Sequence, residues 1–361
     1  MARAIDLAAR IVDRSGALAR IWPGYWPESQ AFIINLPGTG GLLIMRGNPP
    51  EGWEPMRARD VPRQLRGKAY FRRGEIEGAT RPFILGFPLS GGQTAILVNP
   101  GKDVADTAGL MFHEQFHAYQ FSRFRITTGS QFVSPTAVAD RVAFAAAAEM
   151  ERRILAAAVT AQAGAQRIEL LRQFLAVRRA REAGLSPEAL KEEQGFERTE
   201  GVARYVDRIA THLIFREASV EALLVELLRK SLVTESGQFA HVWFRERSYS
   251  TGAALTYLLS RLDPEGWRLA IQGGGVLTDL IEQKVGPAPD PARAAEAARR
   301  RFGYSALLTE LETPLREAER NEIKTADDFR ALEPVGERAF ELHDKPDASL
   351  WEFRGREAVH T

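Results

Sequence analysis

Residues Thr94–Phe121 run TAILVNPGKDVADTAGLMFHEQFHAYQF, and the rest of the chain is read outward from this stretch. Thr94-Ala95-Ile96-Leu97-Val98 is a short apolar run closed by Asn99-Pro100-Gly101, the pattern of a strand that ends in a turn. Asp103 or Asp106 can then cap a helix reaching to about Phe121. Inside it stand His113-Glu114-Gln115-Phe116-His117. Positions i and i+4 share one helix face a turn apart, so both imidazoles can reach one cation. Zn²⁺, as one ion, is the usual occupant of such a nitrogen-and-oxygen site. Glu114 sits beside the pair and cannot ligate in the same geometry; it is placed to take a proton from a water at the cation. The flanks Leu110, Met111, Phe112, Phe116 and Tyr119 are apolar enough to bury the helix.

Upstream, Ala31–Leu36 and Leu42–Met45 flank Pro37-Gly38-Thr39-Gly40-Gly41, which predicts a hairpin with a glycine turn. A second pair is Phe83–Phe87 and Thr94–Val98, joined through Ser90-Gly91-Gly92. The Arg-rich stretch Arg57–Arg73 reads as a solvated, partly irregular surface segment. Downstream, apolar spacings of three and four predict helices over Ala137–Ala163, Ala165–Arg181, Glu200–Leu213, Ser219–Leu232 and Thr251–Leu262. Gly164 separates the first two. Pro264, Gly273-Gly274-Gly275 and Pro287–Pro291 interrupt a helical pattern that lasts to about Asn321. From about Leu332 the sequence alternates again, with Phe340 and Leu342 against Glu341 and His343, then Trp351 and Phe353, predicting short strands. The expected fold is α+β: a small antiparallel or mixed N-terminal sheet packed on a largely helical bulk. No long linker separates domains, so 1–361 is expected as one unit. Its parts would be a β-rich 1–100, a helical core 101–270 and a helical, then β, 271–361.

The composition narrows function. Across 361 residues, Lys+Arg 48 against Asp+Glu 47 leaves a formal charge of +1, which gives no electrostatic case for nucleic acid or a membrane surface. The absence of cysteine excludes disulfides, cysteine-ligated metals, iron–sulfur clusters and a thiol nucleophile. The longest small-apolar run, Ala143–Ala148, falls far short of the roughly 18 residues a membrane span needs. Met1-Ala2-Arg3-Ala4-Ile5-Asp6 lacks the order of a secretory signal. The expectation is therefore a cytoplasmic protein, or a periplasmic or secreted one whose signal has been removed. Oligomeric state is not legible.

Two histidines leave a catalytic zinc one protein ligand short. No third His lies nearby, so a carboxylate is expected, and two segments compete. Glu151 shares a helix face with Ala147, Ala148, Ile154, Leu155 and Ala158, so it needs a partner if buried; its neighbour Glu149 lines up with Arg152 and Arg153 and reads as solvated. Glu200 opens the helix Glu200-Gly201-Val202-Ala203-Arg204-Tyr205, with Glu197 one turn before it. Its ordinary alternative role is favourable charge in a first helical turn.

Together these residues resemble the gluzincin metallopeptidases, particularly their aminopeptidase-like branch. The resemblance spans roughly residues 94–270. It rests on His113, Glu114 and His117, then Glu200-Gly201-Val202-Ala203-Arg204-Tyr205, then Tyr249-Ser250-Thr251-Gly252-Ala253-Ala254, in that order. It implies that Glu200 is the third ligand and that Tyr249 stabilises the charge formed when water attacks a carbonyl. It departs from the family in one respect: 82 residues lie between His117 and Glu200. Either two helices are inserted, or Glu151 is the ligand and Glu200 supports the site. The carboxylate that does not ligate, or Glu197, is expected to orient a His or the water. His241 is a rival donor to Tyr249, Arg247 is read as a surface residue rather than an anchor for a substrate carboxylate, and His212, His343 and His360 carry no role.

The expected activity is zinc-dependent hydrolysis of a peptide or amide bond, with a peptide or protein substrate. The rival is a zinc-stabilised binding or assembly protein, against which Glu114 argues, because a structural metal needs no base. If Thr94–Val98 forms the sheet edge beside the zinc helix, its free backbone groups can pair with an extended peptide.

Overall fold

The computed structural model describes every residue except 28–29, 80–81, 90–93, 101–102, 126–137, 217, 234–238, 322–350, 355–356 and 361. In chain order its elements are α1 (Ala2–Leu18), β1 (Phe32–Leu36), β2 (Gly40–Ile44), β3 (Glu54–Pro55), β4 (Ala69–Arg73), β5 (Phe83–Pro88), β6 (Thr94–Val98), α2 (Val104–Arg123), α3 (Arg141–Thr160), α4 (Gly164–Glu182), α5 (Pro187–Phe196) and α6 (Val202–Phe215). There follow α7 (Val220–Arg229), α8 (Arg247–Leu262), α9 (Trp267–Gln272), α10 (Leu277–Val285), α11 (Pro291–Phe302), α12 (Tyr304–Asn321) and the pair β7 (Trp351–Arg354) and β8 (Glu357–His360). The fold is α+β, with one small mixed sheet and a helical majority.

The described chain divides into two compact units, Met1–Ile126 with Ala203–Leu223, and Thr127–Val202 with Leu224–Thr361. One crossing falls between Val202 and Ala203, inside an unbroken helical run, so no linker composition marks it.

In the first unit six strands pair in the order β3-β4-β2-β1-β6-β5. The hairpin expected around Pro37–Gly41 is β1 and β2, in register from Phe32↔Ile44 to Leu36↔Gly40. β6 pairs parallel with β1 and antiparallel with β5. Thr94–Val98 is therefore interior, not the edge expected above, and it has no free backbone row for a peptide. Residues 90–92, the expected turn between β5 and β6, lie outside the described set. The Arg-rich stretch is less irregular than its composition suggests, since β4 forms its end and Leu65 and Tyr70 are buried. Ile33, Leu43 and Leu97 centre the sheet's apolar core. α1 is not among the expected elements, though Ala4, Leu7, Ala8 and Ile11 bury one helical face.

α2 packs against β5 and β6. Asp103 caps it by accepting from the backbone N–H of Ala105 and Asp106. Its rear face, Met111, Phe112 and Phe116, is fully buried. Trp22 and Tyr25 pack edge-on to Phe116, as Trp26 does to Phe112, and the Tyr25 hydroxyl donates to the Phe112 carbonyl at 3.0 Å. This aromatic clamp sets the helix rotation that presents His113 and His117 on the opposite side.

In the second unit α3 and α4 pair closely. α5 passes through a π-helical turn, Glu197–Gly201, directly into α6. A second π-helical turn, His241–Glu246, runs into α8. These turns correct two expectations. Glu200 lies inside a helical run and does not open one, so it gains nothing from an N-terminal dipole. Tyr249 stands within a helix, not ahead of it. The tail strands β7 and β8 pair antiparallel as expected; residues 340–343 lie outside the described set.

Candidate metal centre

His113 and His117 sit one turn apart on α2 with their rings perpendicular, at 87°, and centroids 4.6 Å apart. Their Nε2 atoms face each other at 3.0 Å. The Nδ1 atoms face outward. His117 Nδ1 is 2.8 Å from Gln120 Oε1, and His113 Nδ1 is 3.3 Å from Asp207 Oδ2. A proton on each Nδ1 would face these acceptors. With the protons so placed, each Nε2 would present a lone pair, and a cation where the two converge would relieve their repulsion at 3.0 Å. Ring nitrogens held from behind by a carboxylate or amide oxygen are the usual support of a metal-ligating histidine.

Glu200 completes the group. Glu200 and Asp207 are carried by one continuous helix, seven residues and two turns apart on one face. Asp207 holds His113, and Glu200 follows from the same helix. One ligand atom from each of His113, His117 and Glu200 lies within 4.8 Å of the others. Two imidazoles and one carboxylate make a group that could hold a metal ion. Among the described residues this is the one group of three or more ligand-type side chains so gathered.

Gly201 explains how Glu200 is brought in. A Cβ on Gly201 would stand 2.4 Å from Gly252 Cα, and one on Gly252 would stand 2.3 Å from the Glu197 carbonyl oxygen. The two backbones therefore touch, and only glycine allows it. The contact fixes α8, and with it Tyr249, beside Glu200. Tyr249 hydrogen-bonds to Glu200; burial first, then the Glu200 charge, push its hydroxyl well above the ordinary tyrosine range. It stays protonated and able to donate at neutral pH. Arg245, one turn earlier, lies 3.6 Å from Glu200 Oε1 and hydrogen-bonds to Tyr249. Burial alone would lower its pKa, but Tyr249 and Glu200 together hold it raised. Glu114 is half-buried on α2 beside His113.

Glu151 and Glu197 stand elsewhere. Glu151 is fully buried and accepts from Arg178 Nε at 2.7 Å, from Arg181 Nε at 2.7 Å and from Arg247 at 3.4 Å. Glu197 accepts from Arg178 at 2.9 and 3.1 Å and from the Thr251 hydroxyl at 2.7 Å. With Glu193 they make three acids interleaved with three arginines, all nearly sealed from solvent. Glu151, the rival ligand, thus meets its burial with guanidinium groups rather than a metal, and is not gathered with the two histidines. Glu197 tethers the turn that carries Glu200. Arg247 is buried in this network, not on the surface. Glu149 is half-buried against Arg152 at 2.5 Å, not simply solvated. His241 is turned to Glu246 at 3.2 Å, and His212 faces the Ala218 carbonyl. His343 lies outside the described residues, and His360 ends β8.

Asp207, Gln120 and Arg245 were missed in the sequence. For Asp207 the signal was its seven-residue spacing from Glu200; for Gln120 it was a polar side chain three residues after His117. No helix among the described residues is long and apolar enough to cross a membrane. No protein-family model matches the chain, and no curated protein or solved structure matches it either.

Proposed function

We propose that the chain is a metal-dependent hydrolase that cleaves an amide bond in a peptide or protein, on a gluzincin-like site. His113, His117 and Glu200 would hold one zinc ion. Such an ion acidifies a water and polarises a carbonyl. Glu114 takes the proton from the attacking water and delivers it to the leaving amine. Tyr249 donates its hydroxyl hydrogen to the carbonyl oxygen as that oxygen gains negative charge. Asp207 and Gln120 keep the imidazoles in the tautomer that offers Nε2. The observation that carries this reading is the facing pair of Nε2 atoms, each backed by an acceptor at Nδ1.

The experiment is metal analysis and digestion of a generic peptide library by the wild type and by Glu114→Gln. The expected result is about one zinc per chain in both proteins and turnover in the wild type alone. Full activity in the variant removes Glu114 as the base. A wild type that holds no zinc removes the site.

A further inference from the structure

We infer that Arg245 recognises a carboxylate on the substrate, so that the preferred peptides carry a negative charge within a residue or so of the bond that is cut. This deepens the hydrolase reading and rests on it. Among the arginines around the ligand residues, Arg204 and Arg208 are both bound to Asp207, at 2.9 and 3.2 Å. Arg198 donates to the Gly274 carbonyl. Arg247 is sealed in the buried network. Arg245 differs, because its side chain is 45% exposed while its guanidinium reaches Glu200.

Glu246, the acid next to it, is turned to His241. Besides its hydrogen bond to Tyr249, Arg245 faces the charges of Glu246 and of Glu200, the residue placed to ligate the cation. A carboxylate that ligates a divalent cation has its charge offset by that cation. Arg245 then faces less opposing charge while its side chain stays half-exposed at the site. A planar guanidinium is suited to bind a carboxylate through two parallel hydrogen bonds. One extended residue spans about 3.5 Å, so a charge held at Arg245 lies close in sequence to a bond reacting beside Glu200. A free C-terminal carboxylate and an acidic side chain share this chemistry.

The test uses the full chain carrying Glu114→Gln and loaded with zinc, so that peptides bind without being cut. Three probes are titrated calorimetrically: tri-alanine with a free C-terminal carboxylate, its C-terminal amide, and the amide of Ala-Glu-Ala. At least one acid-bearing probe is expected to bind roughly three- to tenfold more tightly than tri-alanine amide; which one does so separates a terminal carboxylate from an acidic side chain. Adding Arg245→Gln should abolish the preference, and Arg245→Lys should keep part of it. Zinc content and melting temperature are read on each protein to separate lost recognition from lost structure. Equal binding of all three probes, no binding of any, or a preference that survives Arg245→Gln overturns the inference. If the Arg245-dependent preference is present but the wild type cuts none of the probes or library peptides, the hydrolase reading falls and carboxylate recognition stands.

Discussion

At the scale of single residues, the proposed reading separates groups that would hold a metal from groups that would act on a substrate, and the two kinds should fail differently. Gln120 Oε1 lies 2.8 Å from His117 Nδ1, so Gln120→Leu removes the acceptor that would fix the tautomer and leaves both candidate ligands in place. Zinc affinity should fall roughly 10–100-fold, read by competition with a chromogenic chelator. Tyr249→Phe removes the donor hydroxyl but no ligand. It should lower kcat by about 10²-fold with zinc affinity unchanged; an unaltered kcat would leave Tyr249 as packing. The sequence disclosed these residues unevenly for a physical reason. His113, Glu114 and His117 are fixed by one helical turn, which spacing reports directly. Arg247, expected at the surface, is buried; it follows the π-helical turn His241–Glu246, which inserts a residue. That shifts every following side chain around the helix, and no spacing rule based on a regular helix registers it.

At the scale of elements, both π-helical turns carry residues of the candidate site: one holds Glu200, the other Arg245. The first is pinned by the contact of Gly201 with Gly252. Gly201→Ala places a methyl 2.4 Å from backbone atoms that cannot rotate away, so the two helices must part. Such overpacking costs about 1–3 kcal/mol or more, seen as a lower melting temperature. Zinc affinity should fall as well, since Glu200 moves with its turn. Gly195→Ala is the control: it meets nothing within 4 Å, lies in the same helical run, and should leave both properties near wild type. The motif Glu200-Gly201 was legible in the sequence, but its meaning was not. The glycine serves a contact 51 residues away in sequence, which no local pattern encodes. Strand order escaped for a similar reason. The apolar run Thr94–Val98 suits an edge or an interior position, and pairing with β1, more than fifty residues earlier, decides between them.

At the scale of the whole molecule, the near balance of 48 basic and 47 acidic residues conceals an uneven distribution, because three of each are sealed together in the helical core. The α+β class followed from periodicity. The buried charges did not, because charged residues on a helix are expected to face water, and only Glu151, on its apolar face, gave warning. Burial alone would raise the Glu193 carboxyl, but Arg181, Arg247 and Arg178 hold it well below the ordinary range. The sign of the resulting pH dependence follows from that direction. In the unfolded chain this carboxyl titrates near about 4.3; in the folded chain it titrates lower. Its contribution to stability is therefore fully present above the unfolded value and is lost as pH falls towards the folded value. Glu193→Gln keeps the shape but removes the charge, leaving Arg178, Arg181 and Arg247 short of one acid partner. At pH 7 the variant should lose about 3–5 kcal/mol, measured by urea unfolding. Below about pH 4 its deficit should shrink, because the wild type's own carboxyl is then driven to protonate on unfolding. A deficit that stays constant from pH 7 to pH 3 would mean that Glu193 acts through packing, and that the six buried charges do not stabilise the core as ion pairs.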